Sequence, residues 1–212
     1  LGRGGSDYSA ALLAEALNAS AVEIWTDVAG IYTTDPRLAP NARPIAEISF
    51  NEAAEMATFG AKVLHPATIL PAVRQKIQVF VGSSKAPEMG GTWIRHQVED
   101  TPVYRAVALR RDQTLLNLHS LQMLHAQGFL AETFATLARH KISVDLITTS
   151  EVNVSLTLDK TGSDSSGQGL LSESLLQELS QHCRVRVEDN LALIAIIGNR
   201  IASTAGICSR VF

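Results

Sequence analysis

Val152-Asn153-Val154-Ser155-Leu156-Thr157-Leu158-Asp159 alternates apolar and polar residues without a break. A period of two belongs to an extended strand, so Val152, Val154, Leu156 and Leu158 share a buried face, and Asn153, Ser155, Thr157 and Asp159 a wet one. The sheet that holds this strand is therefore covered on one side only. Working back along the chain, 144–148 is a short strand, and Phe129, Leu130, Phe134, Leu137 and Ala138 form one stripe of a helix. Before them, 103–109 and 114–118 read as two strands. Working forward, 160–169 is a Gly- and Ser-rich loop, 170–179 an amphipathic helix, and Val185 and 191–197 strands. The order β-α-β-β-α-β predicts a ferredoxin-like unit. Residues 191–198 repeat the character of 114–120, and 206–212 echo 128–134 with Gly and Phe at the same spacing, so a second copy is expected to begin there.

The first hundred residues have another texture. Ala10, Ala11, Leu13, Ala14 and Leu17 recur at helical spacing over 7–17, with Ser6 or Asp7 available as a cap. Residues 21–26 read as a buried strand, and 27–44 is turn-rich, punctuated by Gly30, Pro36, Pro40 and Pro44. Helices are expected over 50–59 and over 61–73, the latter begun near His65-Pro66, with a strand at 77–81 and a loop at 82–91. Alternating helices and strands predict an α/β domain.

At 212 residues and 46% hydrophobic, the chain can bury two cores, so two domains are expected. The formal charge of -3, with both signs mixed along the chain, leaves no basic face for nucleic acid. The apolar run at 191–197 is too short to cross a bilayer as a helix, and no charged-then-apolar leader opens the chain, so a soluble cytoplasmic protein is expected. Cys183 and Cys208 lie outside any CxxC spacing, which fits a reducing compartment and idle thiols. The chain opens in a glycine-rich turn with no strand before it and stops inside what reads as a helix. Truncation is expected at both ends.

Gly2-Arg3-Gly4-Gly5-Ser6-Asp7 is a glycine loop running into a helix, where backbone N–H groups and the helix dipole favour an anion. Taken alone it reads sooner as an ordinary tight turn with a capped helix. No GxxxxGK[ST] pattern occurs, so a nucleotide would be held by a different architecture. His65 stands before Pro66 at a helix start and is read as structural, and no metal-ligating set is expected.

Four stretches occur in order: Leu1 to Asp7; Ile24-Trp25-Thr26-Asp27 with Gly30-Ile31-Tyr32-Thr33-Thr34-Asp35-Pro36-Arg37; Phe59-Gly60-Ala61-Lys62-Val63-Leu64-His65-Pro66; and Val144-Asp145-Leu146-Ile147-Thr148-Thr149-Ser150-Glu151. Together they resemble the aspartokinase family across essentially the whole chain, in its lysine-inhibited, monofunctional type. The resemblance implies an α/β fold in which 1–97 is the carboxyl half of an amino-acid-kinase (carbamate-kinase-like) domain. It further implies that 102–187 is a first ACT domain and 188–212 the start of a second. The implied reaction is ATP-dependent phosphorylation of L-aspartate to 4-phospho-L-aspartate, with magnesium on the nucleotide, feedback inhibition by L-lysine and a homodimer formed through ACT domains.

By the same resemblance Arg3, Gly4, Gly5, Ser6 and Asp7 hold aspartate, Arg3 through its planar fork, and Asp7 is the catalytic acidic residue. Thr26, Asp27, Tyr32, Arg37, Lys62 and Val63 are implied ATP contacts. The lysine site is implied at Met123, His125, Phe129, Leu130 and Ser143, together with Val144, Asp145, Thr149, Ser150 and Glu151. Asp145 and Glu151 suit an ammonium group, and Phe129 and Leu130 are expected to serve the core as well. Ala126 departs from the family, which carries Ser there, so one hydroxyl contact to the effector is in question. The family's amino-terminal Lys-Phe-Gly-Gly-Thr-Ser segment does not occur in this sequence. The alternative reading is therefore a catalytically inactive amino-acid sensor and dimerisation module.

Overall fold

The computed structural model describes residues 5–61, 66–99, 101–124, 127–159 and 171–212. Two compact units divide the chain, Leu1–Leu109 with Ile194–Phe212, and Arg110–Leu193.

In the first unit, α1 (Gly5–Leu17), β1 (Ala21–Thr26), β2 (Glu47–Ser49), α2 (Phe50–Thr58), α3 (Pro66–Arg74), β3 (Gln78–Ser83) and β4 (Gly91–Arg95) follow in order. The sheet runs β1-β3-β4-β2, with β1 parallel to β3, β3 antiparallel to β4 and β4 parallel to β2. Alternation along each strand sends Val22 and Ile24, Val79 and Val81, Ile94, and Ile48 to one face. There they pack with Ala14 of α1, Phe50, Ala53 and Met56 of α2, and Ala72 of α3. The other face carries a row of rings, Trp25, Phe80 and Trp93, with centroids 5.4 and 5.0 Å apart. Burial of that many aliphatic side chains is the main term that holds this unit together.

Helix α2 is fenced at both ends by its own sequence. Ser49 is its N-cap and, with Glu52, forms a capping box. At the other end Gly60, at φ 112°, lets the Ala61 N–H reach Met56 O at 2.8 Å, which closes the helix in a Schellman turn. That turn ends α2 ahead of the helix expected over 61–73 and begun near His65-Pro66, of which the described part is Pro66–Arg74. Strands β2 and β4 were not expected. They are short, and β4 buries Thr92 rather than an apolar residue beside Ile94.

The second unit holds most of β5 (Ala106–His119), then α4 (Phe129–Arg139), β6 (Leu146–Thr149), β7 (Asn153–Asp159), α5 (Glu173–Ser180) and most of β8 (Arg184–Ile197). Its sheet order, β6-β7-β5-β8, is the ferredoxin-like one. Leu116 and Leu118, Val154, Leu156 and Leu158 line the covered face against Leu137 of α4 and Leu175 and Leu179 of α5. On α4 Phe129, Phe134 and Leu137 of the expected stripe pack against the core, with Thr133 and Thr136 buried beside them. Leu130 is 40% exposed, and Ala138 is exposed as well.

Where two strands were expected on either side of Arg110-Arg111-Asp112, one continuous strand runs through, and the same holds around Asn190. Asp112 (φ 58°) and Asn190 (φ 60°) interrupt the extended backbone at a single left-handed residue, which short polar side chains tolerate. Strands β5 and β8 are both 14 residues long, each with that residue seventh. Both lead through a 3-10 turn to a glycine N-cap at positive φ, Gly128 before α4 and Gly206 before α6 (Ile207–Val211). The repeat read from glycine and phenylalanine spacing thus extends to backbone conformation. Among the described residues no helix is long and apolar enough to cross a membrane.

Candidate functional site

Strands β1 and β3 run parallel and end together at Thr26 and Ser83, which are register partners. In open α/β sheets the space beyond the carboxyl ends of parallel strands is where ligands bind. Here the Ser84 N–H and Oγ both donate to Thr26 O, at 2.8 and 3.0 Å, and Thr26 Oγ1 donates to Asp27 Oδ1 at 3.2 Å.

The chain then makes a two-stranded excursion over 30–45. Gly30 stands at φ 95°, and a Cβ there would lie 2.6 Å from Thr92 Oγ1 and 2.8 Å from Thr92 N. The absent side chain lets buried Thr92 act as a fastener. Its Oγ1 accepts the Ile31 N–H at 2.7 Å and donates to Ile45 O at 2.7 Å, pinning both legs of the excursion. Tyr32, half-buried, pairs with Pro44, and the Thr33 N–H donates to Arg43 O at 2.9 Å. At the tip, Arg37 donates from Nε to Asp35 Oδ1 (3.0 Å) and from Nη2 to Asp35 Oδ2 (2.7 Å), and its backbone N–H also meets Asp35 Oδ1 (2.9 Å). The guanidinium and the backbone N–H of Arg37 hold the Asp35 carboxyl down to about 2. The Arg37 pKa is raised chiefly by Asp35, and Asp27 adds to the same field. Asp27, Tyr32 and Arg37 therefore share one exposed loop at the strand ends. Asp35 was missed by sequence reasoning as the residue that orients Arg37, although the Asp-Pro-Arg spacing carried the signal.

At the start of α1, Gly5, Ser6 and Asp7 form the first helical turn. Ser6 and Asp7 are inside the helix rather than caps to it, because helical backbone begins at Gly5. Ser6 Oγ donates to Asp7 Oδ1 at 3.2 Å. Arg3 and Gly4 lie outside the described residues, as do Lys62, Val63, His65, His125, Ala126 and the loop 160–169.

In the second unit Met123, Phe129 and Val144 each pack against the core. Ser143, Thr149, Ser150 and Glu151 are exposed. The Asp145 N–H is fixed to Thr157 O at 3.0 Å, and its carboxylate faces Arg110, with Nη2 to Oδ2 at 3.4 Å. Ser150 and Asn153 close the β6–β7 turn, the Ser150 N–H reaching Asn153 O at 2.8 Å and Ser150 Oγ accepting the Asn153 N–H at 3.1 Å. Asp145 and Glu151 consequently flank opposite ends of β6. Asp145 and Ser150 are five steps of extended chain apart, on the order of 16 Å, so a single ammonium cannot meet both carboxylates in one copy. Among the described residues, a cavity of about 420 Å³ between α4 and the end of α5 is lined by Phe129 but by none of the other expected effector residues. Among the described residues, no group of three or more His, Cys, Asp or Glu gathers to hold a metal ion.

Residues 1–83 match the amino acid kinase family and residues 116–165 the ACT domain. Over all 212 residues the chain is 68% identical to lysine-sensitive aspartokinase 3 of Escherichia coli strain K12, covering 47% of that protein. The crystal structure of E. coli aspartokinase III in complex with aspartate and ADP (R-state) matches with a TM-score of 0.88 at 68% identity, over 100% of this chain and 47% of that one. The same enzyme in complex with lysine and aspartate (T-state) matches at 0.84 and 69% identity, over 97% and 45%. The chain spans about half the length of the curated relatives it matches.

Proposed function

Given a chain that belongs to the aspartokinase family, we propose that it supplies the nucleotide-binding and lysine-sensing parts of an ATP:L-aspartate 4-phosphotransferase. The observation that carries the reading is the Thr26–Arg37 segment, pinned by Thr92 at the carboxyl ends of two parallel strands. In this reading 1–97 is the carboxyl part of the kinase domain, 102–187 an ACT domain and 188–212 the beginning of another. Thr26, Asp27, Tyr32, Arg37, Lys62 and Val63 contact ATP, and Arg3, Gly4, Gly5, Ser6 and Asp7 contact aspartate.

In the reaction, an oxygen of the aspartate side-chain carboxylate bonds to the γ-phosphorus as the bond to the β,γ-bridging oxygen breaks, and ADP leaves. The nucleophile is already an anion, so no base is needed, and catalysis is alignment and charge neutralisation. Arg37, held ready by Asp35, and Lys62 would contribute positive charge at the phosphates. Asp7 would place cationic groups rather than take a proton. Magnesium commonly binds through substrate phosphates with one or two carboxylates, and Asp27 beside the loop fits that modest demand. Free Cys183 and Cys208 agree with a cytoplasmic location.

For regulation we assign L-lysine as the inhibitor, read by Met123, His125, Phe129, Leu130 and Ser143 with Val144, Asp145, Thr149, Ser150 and Glu151. Asp145 and Glu151, at opposite ends of β6, would meet different charged groups of the effector, and the proposed assembly is a homodimer through the ACT unit. The deciding assay measures aspartate-dependent ADP formation by the chain alone and by the chain joined behind the upstream half of the E. coli relative. Lysine-inhibited turnover is expected from the joined protein. No aspartate-dependent turnover by either would overturn the reading.

A further inference from the structure

The nucleotide loop is fastened a second time, by a strand that lies beyond the 1–97 expected for the kinase domain. The Val107 N–H of β5 donates to Thr33 O at 2.8 Å, and both residues belong to the first unit. We propose that Val107 is a positioning residue for the nucleotide, its N–H holding Thr33 so that the adjacent Tyr32 and, four residues on, Arg37 are set for ATP. The inference rests on the reading of 26–37 as the ATP-contacting segment.

Thr33 is the junction of the loop. Its N–H donates to Arg43 O at 2.9 Å and its Oγ1 accepts the Arg43 N–H at 3.0 Å, which ties the two legs to each other. Thr92 fixes the base, at Ile31 and Ile45. Beyond that base the other hydrogen bonds of 33–43 are internal: Arg37 to Asp35, the Leu38 and Ala39 N–H groups to Asp35 O, and the Ala42 N–H to Ala39 O. Among the described residues, the Val107 N–H is the one group outside 30–45 that hydrogen-bonds to 33–43.

The donor is mounted more firmly than the loop it steadies. Ala106 and Ala108, 4% and 5% exposed, lie in the same core as Ile31 and Ile45, and Arg105 is fixed by its N–H to Ile197 O at 2.8 Å and by its side chain to Glu52. The Val107 side chain is 42% exposed, so what this residue gives the loop is its N–H. A bond that orders a binding segment beforehand reduces the ordering cost that the ligand must meet. By linkage, a bond that favours the nucleotide is itself favoured by bound nucleotide to the same extent. A bond that only holds the fold together has no such dependence.

The test is calorimetric titration of ATP with magnesium into the 212-residue chain, Val107→Pro and Val107→Ala, with circular dichroism to check folding. Proline removes the N–H, and alanine keeps it. Val107→Pro should bind ATP about three- to tenfold more weakly, the worth of one hydrogen bond. Val107→Ala should stay within about twofold of the parent chain, as a surface substitution does. In the parent chain, saturating ATP should slow exchange of the Val107 amide hydrogen, read by NMR, by a similar factor. Parental affinity in a folded Val107→Pro, equal losses in both variants, or an amide whose exchange ignores ATP overturns the proposal. If Val107→Pro does not fold, the exchange measurement decides alone. A parent chain that takes up no ATP overturns the nucleotide reading itself. A parent chain that binds ATP with the Val107 amide indifferent to it leaves that reading standing and removes only the positioning role.

Discussion

Glu52 Oε1 accepts the Nε–H of Arg105 at 3.0 Å, with the two side chains only 5% and 7% exposed. The same oxygen accepts Asn199 Nδ2–H at 2.6 Å, while Oε2 takes the Ser49 N–H at 3.0 Å and the Ser49 hydroxyl at 2.7 Å. One carboxylate thus closes the capping box of α2 and anchors the segments that lead into β5 and out of β8. A buried carboxylate shared by several donors contributes through each charge-assisted bond it accepts, about 1.5–3 kcal/mol apiece. Glu52→Gln should destabilise the chain by that order in urea unfolding, and Asn199→Ala, which removes one bond to a charged group, by about 1.5–3 kcal/mol. Losses well below 1 kcal/mol in both would mean that water replaces these contacts readily.

The same cluster sets a dependence on pH. Burial by itself pushes the Glu52 carboxyl up, but the Ser49 N–H and hydroxyl and the Arg105 guanidinium outweigh it and hold the pKa below its ordinary value of 4.5. A group whose folded pKa is depressed contributes stability above its unfolded pKa and loses it as pH falls through the folded value. The parent chain should lose stability as pH drops below 4.5, and Glu52→Gln should lose less over the same interval. Parallel pH profiles of unfolding free energy for the two proteins would contradict this account.

Much of this was within reach of the sequence, and the misses have a common cause. Periodicity located β1, α2, α4, β7 and the ferredoxin-like order, because each buries a regular apolar face. It divided β5 and β8 wrongly, because a single left-handed Asp112 or Asn190 breaks the pattern without ending the strand. Strand β4 escaped because one of its two inward residues is Thr92, whose role depends on Ile31 and Ile45 far off in the chain. Glu52, Arg105 and Asn199 are local to nothing. Only the Ser49-to-Glu52 capping spacing was visible, and it says nothing about Arg105. The motif residues of the nucleotide loop were legible as a set, but that Arg37 is already engaged by Asp35 required the fold.

Gly30 gives a direct test of the nucleotide loop. Its φ of 95° disfavours any side chain, and a Cβ would collide with Thr92 Oγ1 and N. Gly30→Ala should cost about 1–3 kcal/mol of local strain and loosen the legs that Thr92 fastens. The expected result is weaker ATP binding, by calorimetry, with lysine binding by the other unit unaltered. Wild-type nucleotide affinity in Gly30→Ala would remove this loop from the proposed site.

Asp7 separates the two proposed functions. In the chain joined behind the upstream half of the E. coli relative, Asp7→Ala should abolish phosphoryl transfer while lysine affinity stays as it was, since Asp7 and Asp145 belong to different units. Lys62→Ala should chiefly weaken ATP, because a lost phosphate contact acts first on nucleotide binding. A normal rate in Asp7→Ala would refute its catalytic role.

The placement of Asp145 and Glu151 at opposite ends of β6 leads to a test by subunit mixing. Asp145→Ala should weaken lysine binding by about 1.5–3 kcal/mol, the worth of a bond to a charged group, and Glu151→Ala should weaken it as well. Suppose each site draws Asp145 from one copy and Glu151 from the other, as two-fold symmetry allows. A dimer that combines an Asp145→Ala chain with a Glu151→Ala chain then contains one site with both carboxylates and one with neither. Mixing the two variants should restore high-affinity lysine binding at one site per mixed dimer, measured by calorimetry after refolding them together. If both residues served the same site from one copy, every site in the mixture would lack one carboxylate and no high-affinity binding would return.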